Sequence, residues 1–221
     1  MIPAHLVFAD INGHSEMPVE RRADVLQRFW MICRDHKPEL MRDSPTSFYD
    51  IDNDSLMAGF AGVERMYSAR EVLLWTVALH RDLAAEDVSV SFGVGLAAGQ
   101  YAIDWEAVPG FLPELRSHLY YADDIDWPDG RVDRRRLIGD PLIMAARLLS
   151  LAKKAQTAIA FALIPGDFQH HERIDSLQVA LQEAGVGSVF PLRRDMHHMP
   201  HAHQRWMEDF RLEPYGIIRN T

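Results

Sequence analysis

The chain has 221 residues, of which 48% are hydrophobic and 25% charged, and this length and composition predict a single domain over residues 1–221. Its net charge of −9 argues against a nucleic-acid partner, because binding to a phosphate backbone needs a concentrated positive surface. The one cysteine excludes an internal disulfide, and no apolar stretch reaches the roughly 18 residues that a membrane span needs. We therefore expect a soluble, cytoplasmic protein with no membrane partner.

Two carboxylates stand where strands of a predicted sheet end. Residues 5–11 are typical of a buried strand that presents Asp10 at the rim of the sheet and then turns at Gly13. The residues from 46 to 60 predict a hairpin with Asp54 at its tip. If the hairpin lies beside the first strand, the two acids meet and repel unless a cation such as Mg²⁺ or Mn²⁺ binds between them. Each acid alone could instead be a helix cap or an ordinary turn residue.

The remaining elements follow from periodicity and end signals. Ser15 as N-cap and Pro18 in the first turn predict a helix to residue 36, with Trp30 on its apolar face. Further helices are predicted at residues 63–85, 140–155 and 170–184, and further strands at residues 88–96, 157–163, 187–192 and 211–219. The alternation of these elements predicts an α+β sandwich with a mostly antiparallel sheet, the ferredoxin-like arrangement.

Two long segments carry weaker signals. Residues 97–138 are interpreted as an irregular insertion or dimer arm, with one short helix near residues 114–121, because exposed aromatics favour an interface. Residues 164–221 are interpreted as a C-terminal elaboration. Four histidines between residues 197 and 203 lack the spacing of a zinc site, and we interpret them as part of a surface loop.

One predicted helix carries basic residues that need an explanation. Arg147 lies among small and apolar residues, where a guanidinium would be costly without an anionic target. Lys153 and Lys154 end the same helix, where we expect them to complement its dipole, with phosphate contact as the alternative.

Three blocks in order resemble the catalytic domain of class III nucleotidyl cyclases. The family's Asp-Ile-x-Gly-Phe-Ser/Thr block corresponds to Asp-Ile-Asn-Gly-His-Ser at residues 10–15, and its Gly-Asp hairpin corresponds to Asn53 and Asp54. Its Gly-x-x-Val-Asn-x-Ala-Ala-Arg-Leu block corresponds to residues 139–148, and the strand between the last two blocks resembles residues 90–96. The resemblance covers roughly residues 5 to 163 in the family's order and spacing.

The resemblance implies a homodimer with its sites at the interface. Asp10 and Asp54, with the backbone carbonyl of Ile11, would bind two divalent cations per site, Mn²⁺ or Mg²⁺. Arg147 of the other protomer would stabilise the charge that develops on the α-phosphate as the ribose 3′-oxygen attacks it. Asp10, Asp54 and Arg147 are thus the implied catalytic residues.

Departures from the family pattern bear on the substrate. Ile143 replaces the Asn that orients the ribose, Asp50 with Tyr49 before it stands where adenylyl cyclases carry Lys, and Arg136 stands where they carry Asp or Thr. These changes resemble the pyrimidine cyclases of bacterial Pycsar anti-phage systems, which make cyclic UMP or cyclic CMP for a separate effector. We expect Tyr49, Asp50 and Arg136, together with Phe8, to contact the substrate. Donors of Arg136 match the uracil O4 acceptor, which favours UTP over CTP.

The interpretation is a lyase that converts UTP to cyclic UMP and diphosphate, a second messenger in antiviral defence, with CTP as the alternative substrate. A rival from another class is a degenerate, cyclase-like regulatory module that binds nucleotide without turnover. Ile143 favours that rival, whereas the retention of Asp10, Asp54 and Arg147 opposes it. Tyr49 could equally be a half-buried strand residue, and Arg136 could belong to a solvated basic turn or meet the triphosphate.

Overall fold

A computed structural model describes residues 5–38, 48–60, 67–97, 120–122, 125–126, 132–133, 136–138, 140–164, 174–209 and 212–219. The strands are β1 His5–Ile11, β2 Phe48–Asp52, β3 Ser55–Phe60, β4 Val90–Ala97, β5 Tyr120–Ala122, β6 Ile125–Asp126, β7 Val132–Asp133, β8 Arg136–Ile138, β9 Thr157–Ile164, β10 Phe190–Pro191 and β11 Tyr215–Arg219. The helices are α1 Val19–Asp35, α2 Ala69–Ala85, α3 Asp140–Lys154, α4 Ile174–Glu183 and α5 His201–Asp209, with 3-10 helices at His14–Glu16 and Asp195–His198.

Seven strands form one sheet in the order β10-β11-β9-β4-β1-β3-β2. Every neighbouring pair is antiparallel except β4 and β9, which are parallel. The predicted α+β architecture with a mostly antiparallel sheet is therefore confirmed. The segment after residue 164 supplies β10 and β11, so this predicted elaboration forms one edge of the sheet itself.

The sheet separates two apolar cores. On one face, α1, α2 and α4 bury side chains that include Phe29, Leu73 and Leu177. On the other face, α3 packs with the C-terminal helices through Met144, Leu148 and other buried residues. Burial of this apolar area from water is the main term that holds the helices to the sheet.

Helix α3 comes unusually close to the sheet at Gly93 of β4. A Cβ atom at this position would lie 2.0 Å from the carbonyl oxygen of Ala145 and 2.2 Å from the backbone nitrogen of Leu149. Because both atoms belong to the helix backbone, only glycine lets α3 approach this closely. The glycine-containing strand that the sequence predicts therefore has a packing role.

The predicted N-terminal helix is confirmed over Val19–Asp35, but two of its details are wrong. Its N-cap is Pro18, because Ser15 lies in the preceding 3-10 helix. Trp30 is 46% exposed and does not lie on the buried face, which contains Val25, Phe29 and Cys33. Helix α2 begins after a capping box formed by Ser68 and Glu71, later than residue 63, and residues 61–66 lie outside the described ranges.

The four histidines were predicted to lie in a surface loop; His197, His198 and His201 are indeed exposed, but the predicted loop is wrong. The 3-10 helix Asp195–His198 and helix α5 occupy this stretch, and Met196, Met199 and Met207 are buried in the second core. The sequence signal was weak here because single methionines separated by polar residues give no clear apolar stripe.

Most of the predicted insertion lies outside the described residues. Its described parts are four short strands, with β5 paired to β8 and β6 paired to β7, all antiparallel. Of the short helix predicted near residues 114–121, the last two residues belong to strand β5, and the others are not described. Within the described part of the chain, no helix combines the length and apolar character that crossing a bilayer requires.

Acidification should destabilise the fold through His5. This side chain is 2% exposed, its Nε2 lies 2.8 Å from the carbonyl oxygen of Tyr67, and burial lowers its pKa from 6.5 to about 4. Between these two pH values the unfolded chain binds the proton more strongly, so stability falls as the pH falls. We expect His5 alone to remove about 2 kcal/mol between pH 7 and pH 5.

Urea unfolding of the wild type and of His5→Gln at both pH values measures this effect. Gln retains a donor for the Tyr67 carbonyl but does not titrate. The variant should lose clearly less stability on acidification than the wild type. Equal losses would contradict the assignment to His5, since the partly buried His80, whose pKa is also lowered by burial, is present in both proteins.

Candidate active site

The pairing of β1 with β3 places the backbones of Asp10 and Asp54 side by side at the ends of these two strands. Asp10 is opposite Ser55 in the antiparallel register, and Asp54 immediately precedes Ser55. The backbone nitrogen of Ile11 donates to the carbonyl oxygen of Asp54 at 3.0 Å. The side chains of Asp10 and Asp54 are 25% and 30% exposed, so both carboxylates are partly open to solvent.

The hairpin tip that carries Asp54 is anchored to helix α1. Asn53 adopts a positive φ of 51°, a turn conformation that Asn tolerates better than most residues. Its carbonyl oxygen accepts a hydrogen bond from Trp30 Nε1 at 2.6 Å. The exposed indole that sequence reasoning placed in the core therefore fixes the turn next to Asp54.

Asp10 is contacted by a cationic side chain of helix α3. Lys153 Nζ forms an ion pair with Asp10 Oδ2, and the Lys153 side chain is 38% exposed. At this exposure the pair is worth on the order of 1 kcal/mol or less, so another cation can displace the ammonium at little cost. Lys153 was predicted to complement the helix dipole. Its ion pair with Asp10 is an additional contact that the sequence did not indicate.

Asp54 is contacted by a histidine from the turn after β1. Gly13 has a left-handed φ of 65° and turns the chain into the short helix His14–Glu16. His14 Nδ1 lies 3.0 Å from Asp54 Oδ2, and the histidine side chain is only 8% exposed. The signal that could have identified His14 is a polar residue at the position where the resembled family has Phe.

Strand alternation decides which candidate substrate contacts share a face. Phe8 and Asp10 are two residues apart in β1, so their side chains point to the same side of the sheet. Asp50 is opposite Met57, and Met57 is opposite Phe8, which places Asp50 on that side as well. Gly93, against which α3 packs, is opposite Phe8 on β4. Phe8, Asp10 and Asp50 therefore lie on the face covered by α3.

Tyr49 lies on the opposite face. Its neighbour in the register is Ala58, which is opposite Val7 in the first core. The Tyr49 hydroxyl donates to the carbonyl oxygen of Cys33, and its ring packs edge-on against Trp75 at 6.3 Å. Burial raises the pKa of the Tyr49 phenol, so it stays protonated as a donor. The structure does not bring Tyr49 to the face that carries Asp10.

Arg147 and Ile143 lie four residues apart on α3 and so share one stripe of the helix. Ile143 is 40% exposed, and the Arg147 guanidinium carbon lies 4.1 Å from the centre of the Trp206 ring of α5. Arg147 precedes Lys153 by six residues, which is about 9 Å along the helix axis and on another side of it. Within one chain, the contact of α3 with Asp10 is made by Lys153.

Two other predicted site groups are placed only in part. Arg136 belongs to β8, where it pairs with Ala122, and its side chain lies outside the described atoms. The Ile11 side chain is buried, and its backbone nitrogen is used by Asp54, as described above.

The donor chemistry at Asp10 and Asp54 fits a hard divalent cation. Both offer carboxylate oxygens, which Mg²⁺ and Mn²⁺ prefer, and Mg²⁺ is commonly held by one or two carboxylates together with substrate phosphates. Among the described residues, no group of three or more His, Cys, Asp or Glu side chains forms a metal cluster. The remaining ligands would therefore have to come from phosphates, water or the backbone.

Comparison with solved structures identifies the fold. The chain is similar to the adenylyl cyclase CyaB from P. aeruginosa, with 13% identity and a TM-score of 0.53, covering 100% of this chain and 95% of that one. It is similar to the dimeric guanylyl cyclase domain of the RhoGC fusion protein from Blastocladiella emersonii, with 11% identity, a TM-score of 0.52, and coverage of 100% and 98%. The guanylate cyclase domain of RhGC from Catenaria anguillulae, in complex with GTP, gives the same four values.

These similarities show that the chain has the fold of class III nucleotidyl cyclase domains. No family model and no curated protein matches the sequence. The predicted fold class is thus confirmed.

Proposed function

We propose that this chain is a metal-dependent nucleotidyl cyclase that acts as a homodimer on a pyrimidine nucleoside triphosphate, UTP before CTP. The observation that carries the proposal is the meeting of Asp10 and Asp54 at adjacent strand ends, on a fold similar to adenylyl and guanylyl cyclases. The sequence blocks that contain both acids and Arg147 also resemble those of that family.

In the proposed reaction the ribose 3′-oxygen attacks the α-phosphorus. The new bond joins O3′ to phosphorus, the bond to the β-phosphate oxygen breaks, diphosphate leaves, and the 3′-hydroxyl proton is released to solvent. Bound divalent cations would lower the pKa of the 3′-hydroxyl and offset the charge of the triphosphate. Asp10, Asp54 and the Ile11 carbonyl would hold these cations. Lys153 would lose its ion pair with Asp10 as a cation binds there.

The proposed dimer assigns Arg147 to the site of the partner. Within one chain Arg147 lies next to Trp206 and away from the lysine that contacts Asp10. A guanidinium from a second copy would supply donors to the α-phosphate as negative charge develops there. Exposure of Ile143 on the same helical stripe is consistent with a surface that a second copy covers.

The choice of a pyrimidine rests on Asp50 and Arg136. Asp50 is exposed on the face that carries Phe8 and Asp10, where adenylyl cyclases of this family have Lys. A carboxylate there accepts from a base N–H, and Arg136 would donate to the uracil O4. Tyr49, which lies on the other face, has no part in this proposal. By resemblance to Pycsar cyclases, the product would signal to a separate effector in antiviral defence.

Product analysis with single nucleotides tests the proposal. The protein is incubated with each of the four nucleoside triphosphates and Mn²⁺, and the products are separated by chromatography and identified by mass. We expect cyclic UMP from UTP, with less cyclic CMP from CTP, and no product from Asp54→Asn. Cyclic AMP or cyclic GMP as the main product would overturn the pyrimidine assignment.

A nucleotide-binding regulatory module is the second candidate function. Ile143 favours it, because a partly exposed apolar side chain stands where the family has a ribose-orienting Asn. Absence of a cyclic product from all four nucleotides, with retained nucleotide binding, would support this candidate and contradict the cyclase.

A further inference from the structure

His14 is placed to control the orientation of the Asp54 carboxylate. The backbone bond from Ile11 to Asp54 fixes the main chain of the hairpin tip but leaves the carboxylate free to rotate. His14 Nδ1, 3.0 Å from Asp54 Oδ2, is the contact that the structure gives to the carboxylate itself. The His14 side chain is 8% exposed, and the residue directly follows the left-handed Gly13.

The surroundings of the ring select one tautomer. Within the described part of the chain, His14 Nε2 is buried and has no hydrogen-bond partner. A proton on Nε2 would bury a donor without an acceptor and would set the lone pairs of Nδ1 and Oδ2 against each other. A proton on Nδ1 instead forms a hydrogen bond to the carboxylate. Of the two tautomers, the geometry therefore favours the one with the proton on Nδ1.

We propose that His14 is a positioning residue for the cation site: it holds one oxygen of Asp54 by a hydrogen bond and leaves the other oxygen for a divalent cation. This inference rests on the proposed function, because it takes Asp54 as a metal ligand. Hydrogen bonds to ligating groups commonly account for 10- to 100-fold in metal affinity. The family resembled here has Phe at this position, so the device belongs to this chain.

Direct measurement of Mn²⁺ binding by electron paramagnetic resonance, with 3′-deoxy-UTP present to supply phosphate ligands without cyclising, tests the role without reference to activity. His14→Phe keeps an aromatic ring of similar size but has no donor, and His14→Asn places an amide donor near the position of Nδ1. We expect His14→Phe to weaken Mn²⁺ binding by about tenfold or more, and His14→Asn to stay within about threefold of the wild type. Equal affinity of the wild type and His14→Phe would overturn the proposal.

Two further measurements separate failure of this inference from failure of the proposed function. Asp54→Asn should abolish the tighter Mn²⁺ binding of the wild type; if the wild type binds no Mn²⁺, the metal site and the role of His14 are both refuted. Nitrogen-15 NMR of the histidines should show the Nδ1–H tautomer for His14, with a shift in Asp54→Asn. An Nε2–H tautomer would refute the positioning role of His14 but not the proposed cyclase activity.

Discussion

Replacing Asp10 with Asn is expected to lower the rate of cyclic nucleotide formation by about a thousandfold or more, because the amide would remove a charged ligand for the proposed cations that would activate the 3′-hydroxyl. The same is expected of Arg147→Ala, at about a hundredfold or more, since charge on the α-phosphate then lacks a donor. Initial rates at saturating UTP and Mn²⁺ measure both effects. A change in KM with an unaltered kcat would contradict the catalytic role of either residue.

Mixing the two inactive variants tests the shared site. If Asp10 and Arg147 of one site come from different protomers, each mixed dimer contains one intact site and one doubly altered site. Random exchange should then restore about a quarter of the wild-type activity per chain, because half of the dimers are mixed. If the two residues act within one chain, mixing restores nothing.

A mixture of Asp10→Asn with Asp54→Asn is the matched control. The two acids belong to the same chain and lie at the same sheet edge, so every site in a mixed dimer lacks one of them. No activity should return. Recovery in this control would place Asp10 and Asp54 in different sites and would contradict the proposed cation site.

Gly93→Ala is expected to have the largest effect on stability. The added methyl group would lie 2.0 and 2.2 Å from backbone atoms of α3, and a helix backbone cannot move aside as a side-chain end can. The helix would have to leave the sheet, which opens the second core and displaces Lys153 from Asp10. We expect a loss of about 3 kcal/mol or more in the free energy of unfolding, measured with urea.

Gly187→Ala is the control for this substitution. A Cβ atom at Gly187 meets no atom within 4 Å, so the effect should stay within about 0.5 kcal/mol of zero. Equal stability of Gly93→Ala and Gly187→Ala would show that α3 does not pack on β4 as described. A Gly93→Ala variant that folds normally but lacks activity would also contradict the packing account.

Local sequence features predicted the parts of the site that depend on adjacent residues. Asp10 ends an apolar run, and Asp54 follows a turn residue between two alternating strands, so local sequence alone indicates both positions. Their meeting also required β1 to pair with β3, although α1 and β2 separate these strands along the chain. Asp140 as cap and Pro141 in the first turn likewise predicted a helix over residues 140–155, close to the observed α3.

The contacts between distant elements could not be predicted in this way. Lys153 contacts Asp10 although 143 positions separate them in the sequence, and the helix that carries Lys153 packs closely on the sheet at Gly93. Trp30 looked like a core residue because hydrophobic periodicity counts an indole as apolar, whereas its N–H is used by the hairpin turn. Both contacts depend on the tertiary fold, and nothing in their local sequence encodes it.

The error in the prediction for Tyr49 has a different cause. Tyr49 and Asp50 are consecutive in one strand, and consecutive side chains of a strand point to opposite faces. Both were predicted to contact the substrate, yet only one of them can lie on the face of Asp10. The register of β2 against β3 assigns that face to Asp50, and the hydroxyl of Tyr49 is used by α1. The alternation rule alone could have excluded one of the pair.

Helix α3 has a consequence for how two copies would work together. Its C-terminal turn contacts Asp10 of its own chain, while Arg147, nearly two turns earlier, is assigned to the reaction in the other subunit. Helix α3 packs closely against β4 at Gly93. If the helix moves as one body, cation binding that displaces Lys153 would also shift the Arg147 guanidinium. Turnover in one half of the dimer would then depend on occupancy in the other, and saturation curves would deviate from simple hyperbolic behaviour.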